Sequence, residues 1–189
     1  MKTLKNGSRF LVLAAAFALA SCGGGGGDST PTAAPTSFWT TNSFQYVNGG
    51  FSAQSTSSTA GRPLTIVAVS TATLAGGDTT NGAYSGSSIT FAFVGSGAGT
   101  YTAVKDDATL VNSDPAVRLI RVQVVVGTGT NTGSTQYTAT DGQVAVTQDS
   151  AGKYHFSSVG SLPTFKTFDI QGGVAGAPAT MALLVRDAF

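Results

Sequence analysis

Several residue types that carry enzyme chemistry are scarce in this sequence. The chain has one histidine, one cysteine and no glutamate, so all nine acidic residues are Asp. Catalysis requires a nucleophile, or an acid–base pair, whose pKa is shifted in a pocket. No catalytic, phosphate-binding or dinucleotide-binding motif occurs along the chain. The sequence therefore predicts a protein that is not an enzyme and that uses no cofactor.

Charge is also scarce, since Asp, Lys and Arg make up 10% of the chain, against ~25% charged residues in typical soluble domains. Residues 1–21 hold three of the ten cations. Without them, seven Lys and Arg remain against nine Asp, a net charge of −2. This balance excludes a nucleic-acid-binding surface built on net charge. Thr, Ser, Gly, Asn and Gln take their place, which is typical of a neutral, hydroxylated exterior.

The first 21 residues have the organisation of a secretory signal. Lys2, Lys5 and Arg9 precede an uninterrupted apolar run from Phe10 to Ala20. At about 1.5 Å per residue, a helix of this length is too short for the roughly 30 Å hydrocarbon core of a membrane. A cationic head, a short apolar run and small residues at its end are typical of a cleavable signal peptide. We therefore expect residues 1–21 to be removed.

The end of this signal, Leu19-Ala20-Ser21-Cys22, resembles the lipobox of bacterial lipoproteins, in which an aliphatic residue and two small residues precede a cysteine. The resemblance implies cleavage before Cys22, a diacylglycerol on its sulfur, and a further acyl chain such as palmitate on the new N-terminus. Two or three chains give stable membrane attachment, whereas one does not. Gly23, rather than Asp, follows the cysteine, and by the same resemblance this favours the outer membrane of the cell envelope. The alternative is an ordinary signal peptide with an incidental cysteine.

Residues 22–37 have the composition of a tether. A run of five glycines is followed by Asp-Ser-Thr-Pro-Thr-Ala-Ala-Pro-Thr, and such glycine runs and Pro/Thr stretches form flexible or extended linkers. The chain thus divides into a lipoprotein signal peptide at 1–21, a lipidated cysteine with a flexible linker at 22–37, and one domain at 38–189.

The composition of this domain favours strands. Thr and Val fit a pleated surface, while Gly, Asp and Asn fit turns. No long stretch has helical periodicity. Strands are predicted at 38–47, 63–73, 87–94, 100–105, 117–126, 164–170 and 179–186, with a three-stranded meander at 135–158. About eight to ten short strands indicate an all-β domain, either an antiparallel sandwich or a small barrel.

The first turn of the meander has a strong local signal. Asp141-Gly142 lies between two alternating segments, and this dipeptide is typical of two-residue hairpins. Such a hairpin pairs Ala139 with Val144 and Tyr137 with Val146. All four apolar side chains then lie on one face, as a strand buried on one side requires.

The second turn follows from the same alternation. A three-residue turn at 150–152 places Val146 opposite Phe156 and leaves Gly152 where a left-handed conformation is needed. Turns of two or four residues would instead place Val146 opposite His155. The whole meander resembles the β-rich domains of uncharacterised bacterial lipoproteins, a resemblance that brings no functional residue.

His155 alternates with Tyr154 and Phe156, so it is predicted on the outer face of its strand. Its alternatives are a general base or metal ligand, and a solvated strand residue. A lone histidine without a cysteine or clustered carboxylates makes a poor zinc site. We therefore interpret His155 as a solvated residue.

One loop has oxygen-rich flanks that suit calcium. Asp106-Asp107 stands on one side and Asn112-Ser113-Asp114-Pro115 on the other. The calcium-hand pattern is absent, however, and Asx residues before Pro are ordinary turn formers. No metal site is predicted.

The C-terminal Phe189 is expected to cap the core of a terminal strand, with Asp187 on the same face. An aromatic end is also typical of outer-membrane barrels, but the strands are short and Asp187 would then face lipid.

Trp39 is the one candidate ligand-binding residue. Either it is buried together with Phe38, Phe44 and Tyr46, or it lies at the mouth of a cavity or on a contact patch. Its place near the domain start resembles that of the lipocalin tryptophan, although Ser37 replaces the glycine of the Gly-x-Trp signature. Two functions follow: a non-catalytic structural or interaction role for an envelope lipoprotein, or a lipocalin-like carrier of a small apolar ligand. The partner is the membrane in both cases, together with a protein or a small apolar molecule.

Overall fold

Strand dominates the structure of this chain. The computed structural model describes residues 36–42, 44–59, 62–71, 83–95, 97–114, 116–127 and 133–189, all within the compact unit Ala34–Phe189. The elements in these ranges are β1 (Phe38–Thr41), β2 (Phe44–Thr59), β3 (Arg62–Thr71), β4 (Gly86–Val94), β5 (Gly99–Ala103), α1 (Asp107–Asn112), β6 (Leu119–Gly127), β7 (Ser134–Ala139), β8 (Gln143–Gln148), β9 (Tyr154–Ser158), β10 (Leu162–Ile170) and β11 (Thr180–Arg186). The all-β class expected from the Thr, Val and Gly content is confirmed.

Eight of these strands form a closed ring of hydrogen-bonded neighbours. The order around the ring is β4-β3-β2-β1-β11-β10-β7-β6, and β4 pairs with β6 to complete it. The other three strands continue from β6 as a layer in the order β5-β8-β9. The pairs are antiparallel except for β5 with β6, which are parallel. The sheet is therefore mixed, whereas the sequence predicted an antiparallel one.

One core contains buried side chains of both the ring and the three-strand layer. Alternate side chains of β6, from Ile120 to Val126, are fully buried and the residues between them are half-buried, as the period of a strand requires. Phe156 of β9 stacks on Phe91 of β4 with ring centroids 3.9 Å apart. Burial of such a side chain contributes about 1.5–3 kcal/mol. The layer thus shares its core with the wall of the ring.

The segment predicted as one strand at 38–47 consists of two strands. The chain reverses at Asn42, whose φ is +50°, a conformation that Asn adopts more readily than most residues. β1 and the start of β2 then pair antiparallel, with Trp39 opposite Tyr46. The reversal explains how both aromatic side chains reach one core, which a single regular strand would not allow.

The hairpin predicted at Asp141-Gly142 is wrong. β7 pairs with β6 and β10, and β8 pairs with β5 and β9. Both edges of β7 are therefore occupied, one by the preceding strand β6 and the other by β10. The Asp-Gly turn carries the chain from the ring to the three-strand layer. The predicted facing is nevertheless correct, because Tyr137, Ala139, Val144 and Val146 are all buried. The hydrophobic alternation of β7 and β8 correctly predicted which side chains are buried. The Asp-Gly dipeptide did not determine which strands pair.

The turn between β8 and β9 agrees with the sequence prediction. Val146 lies opposite Phe156, and the N–H of Asp149 donates to the carbonyl of Lys153 across three turn residues at 3.0 Å. Gly152 has a φ of +82°, a region that L side chains rarely adopt. The requirement that the buried side chains of β8 and β9 share one face was sufficient to predict this three-residue turn.

Candidate functional site

The predicted lipid anchor lies outside the described residues. Cys22, the signal peptide 1–21 and nearly all of the linker 22–37 precede Thr36, where the described part of the chain begins. Lipidation of Cys22 therefore stays a prediction from the sequence. No helix among the described residues is long and apolar enough to cross a membrane.

Trp39 lies inside the core. Its side chain is 0% exposed, its indole N–H donates to Ser87 Oγ at 2.8 Å, and its ring stacks with Tyr46 at 6.1 Å between centroids. Burial raises the pKa of Tyr46 to about 12, so this phenol stays neutral at physiological pH. Trp39 presents no surface to an external partner, and it agrees with the buried alternative rather than with a contact patch.

The oxygen-rich loop predicted around Asp106 contains a short helix, α1. Asp106 caps it, because its carboxylate accepts hydrogen bonds from the N–H of Thr109 at 2.7 Å and from the Thr109 hydroxyl at 3.0 Å. These two bonds, with the N–H bond as the larger cause, lower the pKa of Asp106. Asp114 likewise accepts from the N–H of Ala116 at 2.8 Å. Asp106 and Asp114, considered as calcium ligands, thus serve as helix-cap and turn acceptors, while Asp107 pairs with Arg121.

The most concentrated polar cluster surrounds His155 on the outer face of β9. The His155 Nδ1 lies 2.9 Å from Asp187 Oδ1 and its Nε2 lies 3.6 Å from Asp149 Oδ2. Its ring stacks on Phe189 at 4.5 Å, and Lys153 Nζ lies 4.4 Å from the centre of the Phe189 ring. Among the described residues, no group of three His, Cys or Asp side chains is arranged to hold a metal ion.

Backbone N–H groups of the β8–β9 turn hold the Asp149 carboxylate of this cluster in place. The pKa of Asp149 is lowered chiefly by the N–H of Lys153, then by the N–H of Ala151 and the His155 side chain. Asp149 is therefore an ionised acceptor that the β8–β9 turn itself holds in place. His155 points away from the core as predicted, but its side chain is only 20% exposed, because the C-terminus covers it.

The last three residues, which we call the C-terminal clasp (187–189), fasten the end of the chain to β9. Asp187 has a φ of +47°, and its N–H donates to Ser157 Oγ at 3.0 Å. Ala188 and Phe156 exchange two backbone hydrogen bonds of 2.9 Å each. The carbonyl of Phe189 accepts from Asn48 Nδ2 at 2.9 Å. The clasp therefore joins β9 to the ring.

Phe189 does not cap the core, so that prediction is wrong. Ala188 is the buried residue of the clasp, at 0% exposure, and Phe189 lies outside against His155. The left-handed Asp187 breaks the alternation of β11, so the side chain that reaches the core is one residue earlier than expected. Asp187 and Phe189 do share a face, as predicted, since both contact His155.

This geometry is suited to fastening the chain rather than to proton transfer with a bound substrate. His155 Nε2 is buried, with no hydrogen-bond partner among the described residues, so an external molecule does not reach it. The neighbouring Ser157 hydroxyl accepts the Asp187 N–H instead of bonding to His155.

A groove of about 260 Å³ lies beside the cluster, between β2 and the β8–β9 turn. Gln54 spans its wall: Nε2 donates to the carbonyl of Gly152 at 3.3 Å, and Oε1 accepts the N–H of Tyr154 at 3.2 Å. Sequence reasoning missed Gln54 and the part of β2 that carries it. The signal was present as a charge-free Ser/Thr run at 52–59, but it has no hydrophobic alternation to mark a strand.

No family model, curated protein or solved structure matches this chain.

Proposed function

We propose that this protein is a lipoprotein of the cell envelope, anchored by lipid on Cys22, with a non-catalytic structural or interaction role. The observation that carries the proposal is the sequence Leu19-Ala20-Ser21-Cys22 at the end of a short apolar signal. The cysteine stands where cleavage must occur, and the following glycine and Pro/Thr residues suit a tether. Gly23 after the cysteine favours the outer membrane.

The geometry of the domain supports binding rather than catalysis. His155 is covered by the clasp and serves to hold it, and Asp106, Asp114 and Asp149 act as local backbone acceptors. One accessible surface is neutral: exposed, mostly hydroxylated side chains run along β2 from 52 to 58. Such a surface offers hydrogen bonds and extended backbone to a partner without a strong field that would attract polyanions.

A filled core gives less support to the lipocalin-like carrier. A carrier of apolar molecules needs a large interior cavity. The largest fully buried side chains of the described residues include the aromatic residues Trp39, Phe91, Phe93, Tyr137 and Phe156. Phe93 contacts Tyr101, Tyr154 and Phe156 at 5.1–6.2 Å between ring centroids. Aromatic side chains thus fill much of the core, which favours an interaction module.

The anchor is tested by Cys22→Ser in a bacterium that processes lipoproteins. Without the thiol no diacylglycerol can be attached, so labelling by a fatty-acid analogue should be lost and the precursor should persist uncleaved. Ser21→Ala is the matched control, because a small residue is kept before the cysteine and labelling should continue. Persistent labelling and membrane fractionation of Cys22→Ser would overturn the proposal.

A further inference from the structure

β2 is the longest strand of the structure, at 16 residues, and only its beginning has strands on both sides. Phe44–Val47 pairs with β1, whereas the residues from Ser52 to Thr59 pair with β3 alone among the described strands. Every side chain from 52 to 58 is exposed. We call the outer side of residues 52–59 the β2 edge.

The face on which each side chain lies shows which N–H and C=O groups of the β2 edge point away from β3. Gln54 lies opposite the buried Val67, so it faces the core side of the sheet, as Tyr46 does. On the same face, the N–H of Asn48 donates to the carbonyl of Ser37 on the β1 side at 3.1 Å. Residues on one face of a strand direct their N–H and C=O groups to the same side. The outward-pointing residues are therefore Ser52, Gln54, Thr56 and Ser58.

The β2 edge lacks two of the usual protections against pairing, charge and proline, and the irregularity of β2 lies before it, between Asn48 and Ser52. Natural edge strands are shielded by Lys, by Pro, by bulges or by a covering segment. Residues 52–59 read Ser-Ala-Gln-Ser-Thr-Ser-Ser-Thr, without a charge or a proline. Thr and Ser form favourable cross-strand pairs, and an uncharged strand meets no like-charge repulsion from an identical one. The edge is thus compatible with a second copy of itself.

The chain's own linker is a poor occupant of this edge. The carbonyl of Ser37 accepts the N–H of Asn48, so the backbone groups of Ser37 point at β2. If β1 were extended toward the N-terminus in the same register, the other odd-numbered residues would also direct their N–H groups at β2. Pro35 and Pro31 fall at such positions. Proline has no N–H and cannot complete a ladder. Both prolines therefore interrupt the hydrogen bonding that would extend β1 along β2.

We propose that the β2 edge pairs antiparallel with the β2 edge of a second copy, about a two-fold axis at Ser55. In this register Gln54 lies opposite Thr56 of the other copy and Ser52 opposite Ser58. The outward-pointing groups then meet as hydrogen-bonded pairs, each exchanging two N–H···O bonds. Ser55 faces Ser55 at a non-hydrogen-bonded position, with Cα atoms about 4.5 Å apart.

One strand pair is a small contact, below the ~1,200–2,000 Å² of a stable interface. The copies therefore pair weakly in dilute solution. Lipid on Cys22 would hold them in one plane and raise their effective concentration. In this respect the pairing rests on the proposed anchor, while the register rests on the β2 edge alone.

Single cysteines in the full chain test the register. Ser55→Cys should give a disulfide-linked dimer on a non-reducing gel of oxidised membranes, since Cα atoms about 4.5 Å apart suit a disulfide. Ser57→Cys is the matched control on the same strand and face. Its symmetry mate lies four residues away along the strand, about 13 Å at about 3.3 Å per residue, so it should give no dimer. Unmodified protein on the same gel reports any dimer formed through Cys22.

A second variant separates pairing from folding. Thr56→Pro removes an outward N–H but no bond to β3, so the monomer should fold and the dimer from Ser55→Cys should be lost. Equal dimer from Ser55→Cys and Ser57→Cys would indicate random collision and overturn the proposal, as would the absence of dimer from both. Fractionation tests the anchor separately: a dimer found only in the soluble fraction would contradict lipidation and leave the edge pairing standing.

Discussion

Two strand edges border the three-strand layer, and they are treated in opposite ways. The outward N–H groups of β9 are bonded to Gln54 and to Ala188, and Ser158 at its end bonds to Val185 and Arg186. The β2 edge consists only of Ser, Thr, Ala and Gln residues. On this outer side, away from β3, no strand of the described residues pairs with it. A sealed edge beside an open one is the arrangement that the proposed pairing of two β2 edges requires.

The largest expected difference between the two edges is in stability. Phe156→Ala should lower the free energy of unfolding by about 3–5 kcal/mol, because it empties a fully buried site stacked on Phe91. Thr56→Ala on the β2 edge should change it by no more than about 0.5 kcal/mol. Urea unfolding of the purified chain measures both. Similar losses for the two variants would contradict the contrast.

A substitution in the β8–β9 turn should have an intermediate effect on the free energy of unfolding. Gly152→Val should cost about 1–3 kcal/mol, because a β-branched residue is strained at the φ of +82° found there. Apart from the chain neighbours, no described atom lies closer than 3.8 Å to a Cβ placed at this position, so the cost comes chiefly from the backbone conformation. Ala151→Val in the same exposed turn is the control. A change of only a few tenths at Gly152 would reject the three-residue turn.

The clasp gives the smallest of the stability losses expected on the β9 side. His155→Phe keeps a ring to stack on Phe189 and removes the bond to Asp187, so we expect a loss of about 0.5–1.5 kcal/mol. His155→Ala removes the stacking as well and should cost more. The measurement is again urea unfolding. Equal stability of His155→Phe and the parent chain would show that the clasp does not depend on the Asp187 contact.

Much of the fold was predictable where burial imposes alternation. The core face of β6 and the β8–β9 turn followed from the spacing of Val122, Val124, Val146 and Phe156. Pairing was less predictable, because β7 pairs with the preceding strand β6 and the more distant strand β10, which leaves no edge for the hairpin that Asp141-Gly142 predicts.

The candidate surfaces were missed for different physical reasons. The left-handed Asp187 moved the buried position from Phe189 to Ala188, and a single dihedral of this kind leaves no periodic trace in sequence. The β2 edge was missed because exposure on both faces removes hydrophobic alternation altogether. A Ser/Thr run therefore reads as a loop until its partner strand β3 is known.

Amide hydrogen exchange of the purified chain tests the contrast between the edges most directly. The N–H of Phe156, bonded to Ala188 at 2.9 Å, should exchange slowly at every concentration. The N–H groups of Gln54 and Thr56 should exchange rapidly in dilute protein and become protected as concentration rises, as weak pairing of two copies requires. Protection of Gln54 and Thr56 in dilute protein, or exchange that does not change with concentration, would contradict an open edge that pairs with its copy.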